Sequence, residues 1–278
     1  MKLRRTNRCL RHRFAQEKSA LSRQINKGSS MAIAHFSVNI ITARQSVIWR
    51  AARHHRVRMR LKMGGKESAH ECIGLPDHAE VMLPVSAPRW IMDMVESVAP
   101  WQASQDIWSK ITMEERANGQ LAREIIVVLP VELSRDQNIA LMRDFIEIYL
   151  VSLGVVVDWV FHDVRGNPHA RLLHTLRPVD SEGFGKKKIA VLDDNGHPLR
   201  VGGRIVYRTL IGGWDGFIAL RSAWGVVVNR HLEMAGLEAR IDMRSYKDQG
   251  IDKVPGRHIG GITRAIEKRK ASAVKKTA

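Results

Sequence analysis

Along this 278-residue chain, the spacing of apolar positions switches repeatedly between a period of two and a helical period, which predicts alternating strands and helices. Runs rich in β-branched and aromatic residues predict strands over 32–41, 79–83, 124–129, 155–162, 169–177 and 204–207. Helical spacing predicts helices over 45–60, 105–118, 134–153 and 214–234. Ser134 with Gln137 three residues later is a capping box that sets the start of the third helix. Tyr149 shares a face of that helix with Met142, Phe145 and Ile146, so its expected place is the core.

The link between the fourth and fifth strands decides the fold class. Gly166-Asn167-Pro168 is turn chemistry between two extended runs, so the strands form a hairpin and pair antiparallel. A doubly wound parallel sheet is thereby disfavoured, and the expected class is α+β: an antiparallel sheet with helices on one face. In this hairpin His162 and His169 face each other across the mouth, and Arg171 points to the same face as His169. His174, five residues beyond His169, points to the other. By residue type alone, the histidine pair is either a cross-strand pair bonded to backbone carbonyls or half of a metal site.

Charge narrows the partners. The chain carries 45 Lys and Arg against 28 Asp and Glu, a net +17, which implies a polyanion such as DNA or RNA and secondarily an acidic membrane surface. The excess concentrates in 2–23, 50–66 and 264–276. The first thirty residues lack the apolar core of a signal peptide, and no run approaches the ~20 apolar residues of a membrane helix. Cys9 and Cys72 make neither a disulfide framework nor a zinc ribbon, which fits a reducing cytoplasm. Neither Gly183-Phe184-Gly185 nor Gly202-Gly203 fits a nucleotide-binding fingerprint. The expected organisation is a basic extension over 1–30, one domain over 31–260 and a basic tail over 261–278. The extension reads as a disordered basic arm or as sequence upstream of a true start at Met31.

The run His162-Asp163-Val164-Arg165-Gly166-Asn167-Pro168-His169 resembles the histidine motif of the MobA/MobL family of plasmid mobilisation relaxases, TraA-type conjugal transfer proteins among them. Further stretches match in the family's order: 31–38, 79–84, 87–90, 120–124, 136–139, 183–187, 229–232 and 244–252. The resemblance implies an HUH-relaxase-like palm whose histidines project from the sheet and hold a divalent metal, magnesium or manganese. It implies single-stranded plasmid DNA at the origin of transfer as substrate, other relaxosome proteins as partners, no membrane, and a cytoplasmic location.

Residue by residue, the resemblance assigns His162 and His169 as metal ligands and puts Arg171 in the third ligand's position. A guanidinium has no lone pair to offer, so metal binding is expected to be weak or lost. The family's nucleophilic tyrosine lies in a stretch like Ser-Ala-Val-x-x-Ala-Ala-Tyr-Arg. Aligning 46–53 with it through the valine and arginine puts Ala52 in the nucleophile's place. Of Tyr149, Tyr207 and Tyr246, the last is the least implausible stand-in.

Glu124 reads either as a support behind the metal ligands or as an exposed strand-edge carboxylate. The basic stretch with Arg53 and Arg56 reads either as a phosphate-tracking helix or as a solvated segment. Lys186 and Lys187 read either as DNA-backbone contacts or as a charged surface loop. The expected function is that of a plasmid conjugation or mobilisation protein resembling an origin-nicking relaxase but catalytically impaired. The alternatives are a non-catalytic DNA-binding accessory protein and an inactive remnant of a longer relaxase-helicase.

Overall fold

The computed structural model describes residues 34–60, 67–68, 74–116, 118–210 and 213–252. The chain divides into two compact units, Met1–Met243 and Arg244–Ala278. The first opens with strand β1 (Phe36–Thr42), helix α1 (Val47–His55), the short strands β2 (Met59–Arg60) and β3 (Glu67–Ser68), and β4 (His78–Met82). Helices α2 (Arg89–Glu96) and α3 (Pro100–Glu114) follow, then β5 (Gln120–Val128) and α4 (Arg135–Tyr149). The hairpin strands are β6 (Val157–His162) and β7 (His169–Thr175). Six short strands come next: β8 (Val179–Asp180), β9 (Gly183–Phe184), β10 (Lys188–Ala190), β11 (Arg200–Val201), β12 (Arg204–Ile205) and β13 (Tyr207–Thr209). They lead to α5 (Gly213–Met234).

The central sheet has five strands in the order β1-β5-β7-β6-β4, each neighbouring pair antiparallel. The α+β class and antiparallel sheet expected from the hairpin are present. Gly166 adopts φ 74° in its turn, a conformation that glycine takes without steric cost, and the register pairs His162 with His169.

The helices are not confined to one face. On the first face Ile125, Val127, Trp159, Phe161 and Leu172 pack with Met142, Phe145 and Tyr149 of α4 and Trp224 and Val227 of α5. On the second, Ile41, Ala122, Val156 and Leu173 pack with Val47, Ile48, Ala51 and Ala52 of α1, Ile91 of α2, and Ile107 and Trp108 of α3. The reason is visible in β6, where all six residues are buried; a sheet with one wet face would alternate. Each buried aliphatic or aromatic side chain contributes about 1.5–3 kcal/mol.

Several boundaries differ from the sequence reading. The helix expected over 45–60 ends at His55, because Arg56 turns left-handed (φ 54°) as its C-cap and β2 begins soon after. Helix α2 was not anticipated; Pro88 at its N-cap leads directly into it. Helix α3 begins at Pro100, in the first helical position that proline favours. Helix α4 ends at Tyr149 and continues as a single 3-10 turn, Val151–Leu153, closed by Gly154 at φ 87°. Among the described residues no helix is long and apolar enough to cross a membrane.

In the second unit, residues 244–252 form a compact turn. The Ser245 hydroxyl donates to Asp248 Oδ2 at 2.7 Å, and the Ile251 amide donates to the Tyr246 carbonyl at 2.9 Å.

Candidate functional site

The second face of the sheet carries the chemistry, arranged in rows set by strand register. One row runs Asn39, Glu124, Leu173, Asp158 across β1, β5, β7 and β6. The next runs Ser37, Ile126, Arg171, Val160, and the third runs Val128, His169, His162. Residues two apart on a strand are separated by about 7 Å, so Arg171 stands between an acidic row and the histidine pair.

Helix α1 is fastened to the acidic row by two consecutive histidines that straddle β7. His54 Nε2 lies 2.8 Å from Glu124 Oε1 and His55 Nε2 lies 2.8 Å from Asp158 Oδ1, with all four residues buried. Asn39 Nδ2 donates to Glu124 Oε2 at 3.0 Å, and Arg50 Nη1 lies 3.6 Å from the same oxygen. Asp158 also accepts from the Ser104 hydroxyl at 2.6 Å and the Trp108 indole at 2.9 Å. Burial alone would raise the Glu124 pKa, but the His54 hydrogen bond and charge, with Arg50 and Asn39, hold it down at about 2. Burial likewise opposes the Asp158 charge, and His55, Ser104 and Trp108 overcome it, leaving its pKa lowered.

The histidine rings of the hairpin mouth have centroids 5.2 Å apart and an interplanar angle of 39°. His169 Nδ1 donates to the Asn167 carbonyl at 2.9 Å, which leaves Nε2 as the nitrogen with the lone pair. His162 Nδ1 is buried with no hydrogen-bond partner. Burial, then Arg56, His169, Arg171 and His54, drives the His162 pKa down to about 3; burial likewise lowers that of His169. Both rings are therefore neutral near pH 7.

Arg171 Nε is buried without a partner. Burial works against its charge, Glu124 supports it, and Arg53, Arg50 and Arg56 repel it. Among the described residues no group of three or more His, Cys, Asp or Glu is placed to hold a metal. Two neutral imidazoles beside a fixed cation do not fit the three-ligand site that the resemblance implies, because the cation repels a divalent ion.

The other expected residues separate. Ala52 is wholly buried, packed into the second core, while its neighbour Arg53 is exposed with its guanidinium 4.9 Å from the Trp49 ring centroid. Arg56 sits at the left-handed cap of α1. Glu124 is on an interior strand and fully buried, so the strand-edge reading fails. Its direct partner is His54 rather than either hairpin histidine. Lys186 is exposed, but Lys187 is bound to Glu115 and to the Gln120 carbonyl, where Arg177 also reaches Glu115 at 3.2 Å. Tyr149 is core, as its spacing predicted, and Tyr207 lies exposed on β13. His174 is buried on the opposite face and donates to the Thr175 carbonyl at 2.9 Å.

Sequence reasoning missed His54, His55 and Asp158. The first two lie within the basic stretch that carries Arg53 and Arg56, yet α1 buries them with Val47, Ile48, Ala51 and Ala52, so this helix is not a solvated segment. The signal was available in Asp158: a lone carboxylate inside an apolar strand must find buried donors.

Comparison with known proteins identifies relatives of this chain. The model of the MobA/MobL family matches residues 45–269. A probable conjugal transfer protein TraA from Sinorhizobium fredii is 40% identical over 243 residues, covering 86% of this chain and 22% of its own length. Conjugal transfer protein TraA from Rhizobium radiobacter gives the same identity and coverage, 40%, 86% and 22%. This chain thus spans about a fifth of the length of these curated relatives. A solved structure from work on the molecular basis of vancomycin resistance transfer in Staphylococcus aureus superimposes with a TM-score of 0.58 at 28% identity, covering 77% of this chain and 100% of that one. With the ordered motifs, the antiparallel palm and a family match over most of its length, the chain belongs to the MobA/MobL family.

Proposed function

We propose that this chain acts in plasmid transfer by binding single-stranded DNA of an origin of transfer on the histidine-bearing face of its palm, without nicking it. The observation that carries this reading is the composition of that face. The palm and its cations are kept, with Arg50, Arg53, Arg56 and Arg171 in one neighbourhood, while neither Ala52 nor its exposed neighbour Arg53 carries an oxygen able to attack phosphorus. With a cation in the third donor's position, the described residues at 52, 53, 162, 169 and 171 offer neither the tyrosine nor the three-imidazole set on which the metal-dependent step of an intact relaxase depends. Arg53 and Trp49 together offer a cation and an aromatic surface at the margin of the site, suited to phosphate and base. The expected setting is the cytoplasm, among other relaxosome proteins.

The test is incubation of the purified chain with single-stranded DNA from its plasmid's transfer region, with magnesium or manganese, read by denaturing gel and fluorescence anisotropy. The expected outcome is saturable binding with intact DNA. A cut strand with a covalent protein adduct that disappears on chelation would establish a relaxase with another nucleophile.

A further inference from the structure

The histidine-bearing face holds more positive charge than it has partners for. Glu124 and Asp158 are the carboxylates of its acidic row, and both are engaged: Glu124 by His54, Asn39 and Arg50, Asp158 by His55, Ser104 and Trp108. Arg171 lies on the central strand β7 between that row and the histidine pair; its side chain makes no ion pair or hydrogen bond among the described residues, and its Nε is buried. Arg50, Arg53 and Arg56 are all near enough to repel it. Arg171 is half-buried, so its guanidinium is partly withdrawn from water with a buried Nε that bonds to nothing, and an incoming anion would supply the acceptor. Beside it, the buried His162 Nδ1 also lacks a partner.

We propose that Arg171 takes the place of the divalent ion: with His162 beside it, the guanidinium forms a metal-independent site for a phosphate group of single-stranded DNA. The planar fork of a guanidinium matches two phosphate oxygens at once. The His162 Nδ1–H, when that nitrogen carries the ring proton, donates to the same anion, and Arg50, Arg53 and Arg56 extend the positive field around it. A lone-pair donor at position 171 would serve a metal; a permanent cation serves the phosphate directly. This rests on the DNA-binding reading above, but the phosphate site is open to test by a small anion as well.

The full chain is titrated with a fluorescein-labelled single-stranded oligonucleotide in EDTA and again with manganese, and its melting temperature is followed with pyrophosphate in EDTA. The wild type is expected to bind the oligonucleotide with the same Kd, within about twofold, in both buffers, and pyrophosphate is expected to raise its melting temperature. Arg171→Gln is expected to weaken binding about tenfold and abolish the pyrophosphate effect, while melting no lower than the wild type without ligand, since it removes a side chain that makes no hydrogen bond or ion pair and is repelled by three arginines. Arg171→Lys, which keeps charge but not the fork, is expected to fall between the two; should the glutamine variant not fold, this one carries the test. Wild-type binding lost on chelation, or variants that bind both probes as tightly as the wild type, would overturn the proposal. If the wild type ignores the oligonucleotide yet is stabilised by pyrophosphate through Arg171, the anion site stands and the DNA-binding reading fails.

Discussion

His54 and Glu124 meet at 2.8 Å across the boundary between α1 and the sheet, both wholly enclosed, and this contact holds the α1 segment over the candidate site. Removing His54 leaves the buried Glu124 carboxylate with only Asn39 and the more distant Arg50. His54→Ala is therefore expected to lower unfolding free energy by about 3–5 kcal/mol. Glu124→Gln, which keeps shape and one acceptor, is expected to cost less. Urea denaturation of both variants checks the order, and a neutral His54→Ala would show that α1 is not held by this pair.

Ala52 has no exposed surface, so Ala52→Tyr forces a ring into a filled core, with an expected cost of about 1–3 kcal/mol. Arg53→Tyr, at an exposed position one residue on, is expected to leave stability nearly unchanged. Thermal melts of the two variants separate these positions. Combining each with Arg171→His and repeating the cleavage gel identifies which position presents an oxygen to DNA. A stable Ala52→Tyr variant would show that this part of the core has room for a ring.

Acidification is expected to destabilise the fold. Burial, partly offset by the Thr175 carbonyl, holds the folded His174 pKa at about 4, below the ordinary 6.5, so between these values the unfolded chain takes up the proton and the folded one does not. Stability from this residue is complete above pH 6.5 and declines toward pH 4, by about 1.4 kcal/mol per pH unit inside the window. Glu124, held at about 2 against an ordinary 4.5, acts in the same direction at lower pH, because its favourable charge is lost as pH falls. Melting temperatures recorded from pH 7.5 to 4.5 should fall, and less steeply for His174→Gln. An identical slope for the variant would remove His174 from this account.

Binding to single-stranded DNA is expected to weaken as salt rises, with log Kd linear in log salt concentration. Arg53→Ala should reduce that slope by roughly one phosphate contact. Lys187→Ala should leave it unchanged, because that side chain is bound to Glu115 and the Gln120 carbonyl. Anisotropy titrations at several salt concentrations decide this, and a slope that falls for Lys187→Ala would place the 186–188 loop in the DNA interface.

The sequence by itself determined the local elements and their chemistry. A period of two, a Gly166-Asn167-Pro168 turn and two imidazoles fix a hairpin with His162 opposite His169, because side-chain direction along a strand and the reach of a short turn are local properties. The same logic set Tyr149 in the core and His174 on the far face. Only the tertiary structure decided that β5 is interior, which turns Glu124 from a candidate surface carboxylate into a buried acceptor. It alone placed His54 and His55 astride β7, gave the sheet a second helical face, and left Arg171 between spoken-for carboxylates and neutral rings. Those relations join residues 70 positions apart for His54 with Glu124 and 103 for His55 with Asp158, and no periodicity within one segment encodes which distant segment will cover it.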